Sequence, residues 1–178
     1  AMNIGTVNQC TLGIEHYLQQ CKISGPVVIG YDARNFSEIF ARAAADIFLS
    51  SGRDVHFFDG YCATPFVSYA IKELVCAAGI MITASHNPPQ DNGYKVYWSN
   101  AAQIIPPHDR GIEACIDALR DRKPAPLTAK RGSFHLISKE LVEQYEREVL
   151  ALRPDGVDSM LVRPKIVYTP LHGVGGAW

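Results

Sequence analysis

Gly79-Ile80-Met81-Ile82-Thr83-Ala84-Ser85-His86-Asn87-Pro88-Pro89 holds the change of character on which the fold reading turns. Residues 79–83 are almost continuously apolar, without alternation. A short run of that kind reads as a strand buried on both faces. Residues 84–93 are polar and rich in Asn, Pro, Asp and Gly, the composition of a loop. A strand that ends in such a loop presents Ser85 and His86 outside its carboxyl end, where open α/β sheets bind ligands.

Upstream, the same punctuation repeats. Val27-Val28-Ile29-Gly30-Tyr31 and Val55-His56-Phe57-Phe58 read as two further buried strands. Between them Ile39, Phe40, Ala43, Ile47 and Phe48 recur at helical spacing over 36–49. Asn35 and Glu38 have the spacing of a capping box, and Gly52 is a stop. A helix is predicted from Thr64, with Thr64 as N-cap and Pro65 at its first position. Leu12, Ile14, Tyr17 and Leu18 predict another helix over 11–21. The alternation of strand and helix implies a parallel sheet with helices on its faces and right-handed crossovers.

Downstream the rhythm changes. Tyr94-Lys95-Val96-Tyr97-Trp98 alternates and is predicted to be an antiparallel edge strand, which makes the sheet mixed but mainly parallel. A helix is predicted from Asp109 to Leu119 and another from Ser138 to Leu152. Residues 121–135 read as a connection. Lys165-Ile166-Val167-Tyr168-Thr169 reads as one more strand, with a turn at 153–156 as a candidate domain boundary.

Composition narrows the class. The chain has 178 residues, 47% hydrophobic and 20% charged, enough to bury a sizeable core. Seventeen Lys and Arg against eighteen Asp and Glu leave a net charge of −1, which offers no field for nucleic acid or a membrane surface. No apolar run is long enough to span a bilayer. The five cysteines, at 10, 21, 62, 76 and 115, contain no Cys-x-x-Cys pair. Reduced thiols in a cytoplasmic protein are the expectation. His16, His56 and His135 show no metal-ligand spacing.

The loop carries the chemistry. Pro88 and Pro89 restrict it, and Asn87 can hold a turn. A rigid serine is what phosphoryl transfer needs, since positioning and charge stabilisation do most of that work. Thr83 to Pro88, followed by Asp91-Asn92-Gly93-Tyr94-Lys95, resembles the active-site signature of the α-D-phosphohexomutase superfamily of phosphoglucomutases and phosphomannomutases. The longer string 79–98, with Gln103-Ile104-Ile105 and Pro107-His108-Asp109, is most similar to the branch of type-2 phosphoglucomutase, phosphopentomutase and glucose-1,6-bisphosphate synthase. The resemblance covers nearly the whole chain, and its specificity lies between 79 and 109.

The resemblance implies a three-layer α/β/α domain I over 1–152 and a linker with the opening strand of a second domain over 153–178. It implies a mutase that interconverts sugar 1-phosphates with hexose 6- or pentose 5-phosphates through a phosphoserine and a bisphosphate intermediate. Ser85 matches the serine that carries the phosphoryl group. His86 matches the histidine after it, with its role open. Lys95 matches a lysine that is a candidate acid/base and charge neutraliser. Arg34 matches an arginine near the phosphoserine, expected with Asn87 to contact phosphate. One magnesium ion would bind through the Ser85 phosphate, with its other ligands outside these residues, and glucose 1,6-bisphosphate would be the activator. The partners implied are small sugar phosphates and the remaining domains of the same polypeptide, so the chain alone is expected to be inactive. Two other readings stand beside this one, a bisphosphate synthase and a non-catalytic sugar-phosphate-binding module. His172 to Gly176 invites a phosphate-loop reading, but a short Gly cluster is weak, and it is taken as structural. His108-Asp109-Arg110 is read as a solvated first turn.

Overall fold

The computed structural model describes residues 2–120, 131–156 and 164–176. Ten elements follow in chain order: α1 (Ile4–Gln20), β1 (Val27–Tyr31), α2 (Ser37–Ser50), β2 (Val55–Phe57), α3 (Thr64–Glu73), β3 (Ala78–Ile82), β4 (Tyr94–Trp98), α4 (His108–Leu119), β5 (Phe134–Leu136) and α5 (Lys139–Ala151). The strands form one sheet in the order β4-β3-β1-β2-β5. β1 pairs in parallel with β3 and β2, and β2 with β5, while β4 runs antiparallel to β3 at the edge. The mixed, mainly parallel α/β sheet is thus as the sequence implied.

Every residue of β1 and β3 is buried, as strands covered on both faces must be. One face packs Val27, Ile29, Ile80 and Ile82 against α1, α2 and α4 through Val7, Ile14, Phe48 and Ile112. The other packs Val28 and Met81 against α3 and α5 through Val67, Ile71 and Leu141. These two cores make the three layers. Burying each large side chain such as Phe48 or Ile71 contributes about 1.5–3 kcal/mol relative to exposure. A Cβ on Gly30 would lie 2.5 Å from Cys62 Sγ and 2.6 Å from Val67 Cγ2, so α3 closes on β1 only because that position has no side chain.

From β1 the chain crosses through α2 to β2 on one side, then returns through α3 to β3 on the other. The strand order therefore reverses between β1 and β3. The loops after these two strands, beginning at Asp32 and Thr83, share the crevice at that reversal.

Several local expectations are corrected. α1 begins at Ile4 rather than Thr11, because Asn3 and Thr6 form a reciprocal capping box: Thr6 N–H donates to Asn3 Oδ1 (3.0 Å) and Asn3 N–H to Thr6 Oγ1 (2.9 Å). The box expected from Asn35 and Glu38 does not form. Phe36 is the N-cap of α2 at φ 67°, the Asn35 carbonyl accepts from Asn92, and Glu38 pairs with Arg42 one turn on. Ala63, not Thr64, is the N-cap of α3, with Thr64 opening the helix. Within the expected connection 121–135, Phe134 and His135 belong to β5, whose three residues are too few to show a period. His108 is not a solvated turn: its ring stacks on Trp98 at 4.3 Å. The strand expected over 165–169 has no ladder partner among the described residues, and Val167 is 99% exposed. Part of the expected connection, 121–130, lies outside the described residues. Among those described, no helix is long and apolar enough to cross a membrane.

Candidate active site

The crevice opens into a cavity of about 790 Å³. Its wall is built from the β1 loop (Asp32–Asn35), the start of α3 (Cys62–Pro65), the end of β3 and its loop (Met81, Thr83, Ser85, His86, Asn87, Pro89), and the turn Pro170–Val174. The sequence-predicted Ser85, His86, Asn87 and Arg34 all lie in this lining.

Ser85 is exposed and held at φ 59°, in the left-handed region that a residue with a side chain enters at a cost of about 1–2 kcal/mol. Its N–H donates to Thr83 Oγ1 (3.0 Å), and its Oγ lies 3.3 Å from His86 Nδ1. Thr83 is itself buried, so the serine stands on a fixed base. The loop closes on itself through Asn87 N–H to Ala84 O (3.1 Å), Asp91 N–H to Pro88 O (3.0 Å) and Thr83 N–H to Gly93 O (2.9 Å).

Arg34 grips this loop. Nη2 donates to Ser85 O (2.6 Å) and Asn87 O (2.7 Å), and Nη1 to Pro88 O (2.6 Å) and Asp91 O (3.2 Å). Nε pairs with Asp32 Oδ2 at 3.2 Å, with both side chains little exposed. The other oxygen of Asp32 accepts from Ser37 Oγ (2.7 Å) and from the Arg34 N–H (3.1 Å). Asn92 completes the joint, donating to Asn35 O (2.8 Å) and Ser37 Oγ (3.3 Å). The loops after β1 and β3 are thus one hydrogen-bonded unit.

Lys95 stands apart from the cavity lining. It faces Met81 across the β4–β3 ladder, and directly opposed residues share a face of the sheet, so Lys95 is on the side from which Met81 enters the wall. Cys62 also reaches the wall, but burial pushes its thiol up to about 12, which keeps it protonated and a poor nucleophile. Asp32, Thr64 and His172 are lining residues that the sequence did not single out as functional. His172 lay in a string read as structural, and only the folded chain brings it to the serine loop. Asp32 had a weak signal, as an acid directly after a buried strand. Among the described residues no three His, Cys, Asp or Glu side chains cluster to hold a metal ion.

Residues 1–123 match the family model described as phosphoglucomutase/phosphomannomutase, alpha/beta/alpha domain I. Among curated proteins the chain is 42% identical over 185 residues to a Schizosaccharomyces pombe protein named "Probable phosphoribomutase", covering 98% of this chain and 31% of that protein. It is 39% identical over 188 residues to the phosphopentomutase of Homo sapiens, again covering 98% and 31%. It is 38% identical over 192 residues to the glucose 1,6-bisphosphate synthase of Mus musculus, covering 96% and 30%. Among solved structures, a Thermus thermophilus protein described as a "putative phosphomannomutase" superposes with a TM-score of 0.71 at 29% identity, over 84% of this chain and 32% of that one. The chain spans less than a third of the length of these curated relatives.

Proposed function

The chain belongs to the phosphoglucomutase/phosphomannomutase family through its α/β/α domain I, and from that premise we propose that Ser85 is the phosphoryl carrier of a sugar-phosphate mutase. The observation that carries this reading is the placement of Ser85 Oγ. It is exposed on a clamped loop at the strand-order reversal, facing a cavity, with His86 Nδ1 at 3.3 Å.

The chemistry asks for few moving parts. The phosphorylated serine gives its phosphoryl group to a sugar hydroxyl. The bond from phosphorus to Ser85 Oγ breaks, a bond to the sugar oxygen forms, the hydroxyl loses its proton, and the serine oxygen gains one. In this reading His86, whose Nδ1 lies 3.3 Å from Ser85 Oγ, exchanges that proton. The sugar bisphosphate turns over and returns its other phosphoryl group to Ser85 by the reverse exchange. Lys95 offsets charge from the β4 side, and Asn87 lines the sugar-phosphate path. Because the guanidinium of Arg34 is directed at backbone carbonyls and Asp32, phosphate contact in this arrangement falls to the other lining groups.

The described residues do not themselves build a magnesium site. The chain's own contribution to that ion would be one oxygen of the Ser85 phosphate, where magnesium would offset charge on the transferred group. Residues 1–152 are assigned to domain I and 153–178 to the approach to a second domain, and the isolated chain is expected to be inactive. Pentose phosphates are favoured as substrates, because relatives named for phosphoribomutase and phosphopentomutase stand among the matches. Glucose 1,6-bisphosphate is the proposed activator. Five unpaired cysteines agree with a cytoplasmic setting. A bisphosphate synthase is the second reading, favoured by the mouse relative of that name.

The test uses the complete polypeptide that contains this chain. Interconversion of ribose 1- and 5-phosphate, primed with glucose 1,6-bisphosphate, is expected in the parent and lost in Ser85→Ala. Retained turnover in that variant would contradict the proposal. Bisphosphate formation from another phosphoryl donor, without mutase turnover, would favour the second reading.

A further inference from the structure

We infer that Arg34 is a positioning residue, the template on which the serine loop is folded, rather than a ligand for phosphate. This rests on the mutase reading above only for its effect on turnover. A guanidinium has five N–H groups in a fixed planar fork and no acceptor. All five are accounted for: two at Nη2 to Ser85 O and Asn87 O, two at Nη1 to Pro88 O and Asp91 O, and one at Nε to Asp32. No N–H is left over for an anion without surrendering one of these contacts.

The four carbonyls come from residues 85, 87, 88 and 91, so they span the loop from the reactive serine to the approach to β4. Turning four carbonyl oxygens toward one point fixes the path of the chain between them. That path includes Ser85 at φ 59°, a conformation that persists where the surrounding structure over-determines it. Asp32 sets the guanidinium in turn. Its backbone N–H donates to Ile82 O (3.1 Å) and its carboxylate is almost buried, so the fork is referenced to the ends of both β1 and β3. Lysine cannot replace it: an ammonium has three donors on a flexible stem and reaches no such set of carbonyls at once.

The experiment compares Arg34→Lys, Arg34→Ala and the parent in the complete polypeptide, by amide hydrogen exchange and by steady-state kinetics. Faster exchange is expected in both variants at the amides of Ser85, Asn87 and Asp91, with the amides of α2 and β3 unchanged. A misplaced nucleophile costs kcat, so kcat is expected to fall about 100-fold in both variants, with KM for the sugar phosphate within about threefold of the parent. If Arg34 instead binds phosphate, lysine retains much of the activity, KM rises, and loop exchange stays as in the parent; that pattern would overturn the inference. Exchange that rises uniformly through the domain would also overturn it, by showing a general structural role. The amide measurement needs no turnover. A parent without mutase activity therefore counts against the proposed function, while the exchange comparison still decides the role of Arg34.

Discussion

Thr83 and Gly93 close the two ends of the serine loop on each other, backbone to backbone. A Cβ on Gly93 would run into the Thr83 carbonyl oxygen, and the Gly93 carbonyl accepts the Thr83 N–H. Gly93→Ala therefore pushes on the backbone on which Ser85 stands. The expected cost is about 1–3 kcal/mol of stability, read from the denaturant midpoint, with a larger proportional loss of turnover than of stability. An alanine variant as stable and active as the parent would show that the loop tolerates the shift. The serine itself was legible in the sequence, because Thr-Ala-Ser-His-Asn-Pro is long and specific. The clamp was not. Arg34 and its carbonyls are 51 to 57 positions apart, and backbone acceptors leave no mark on residue identity.

Among the elements, the long buried strands β1 and β3 announce themselves by unbroken apolar runs, while β5 does not. It has three residues and all are exposed. β5 is held to β2 in part by His135 stacking on His56, with ring centroids 5.2 Å apart. Burial, and then the facing His135, hold His56 below its ordinary value of 6.5, with Asp54 opposing. The folded state thus binds fewer protons at His56 than the unfolded chain does below that value. Stability from this site is complete above about pH 6.5 and declines as the pH falls toward the lowered value, levelling beneath it. Asp54 is held low chiefly by the Ser133 N–H, so it stays charged over this window. Thermal unfolding at about pH 5 is expected to occur at a lower temperature than at about pH 7.5, and His56→Gln should shrink that difference. An undiminished difference in the variant would place the pH sensitivity elsewhere. The caps of α1 and α2 were misread from sequence for different reasons. Asn3 with Thr6 caps α1 without the usual acidic partner, and Phe36 caps α2 by backbone conformation alone.

At the scale of the whole molecule, the fold class was legible, because alternating strands and helices imply a mainly parallel sheet with the serine loop at a strand's carboxyl end. The strand order, and with it the reversal between β1 and β3, was not, since the same alternation fits more than one order. Nor was what completes the cavity. Pro170–Val174 reaches the wall beside the serine loop although the sequence marks it only as a turn. The extended segment before it exposes Ile166, Val167 and Tyr168, apolar surface of the kind that other parts of a polypeptide cover. The chain spans under a third of the length of its curated relatives, and the contribution proposed for this domain is a serine that holds phosphate between two half-reactions. Phosphosite mapping by mass spectrometry, on the complete polypeptide after incubation with glucose 1,6-bisphosphate, tests it most directly. Phosphate on Ser85, discharged when a sugar monophosphate is added, is the predicted result; an unmodified Ser85, or a phosphate there that the sugar does not remove, would contradict it.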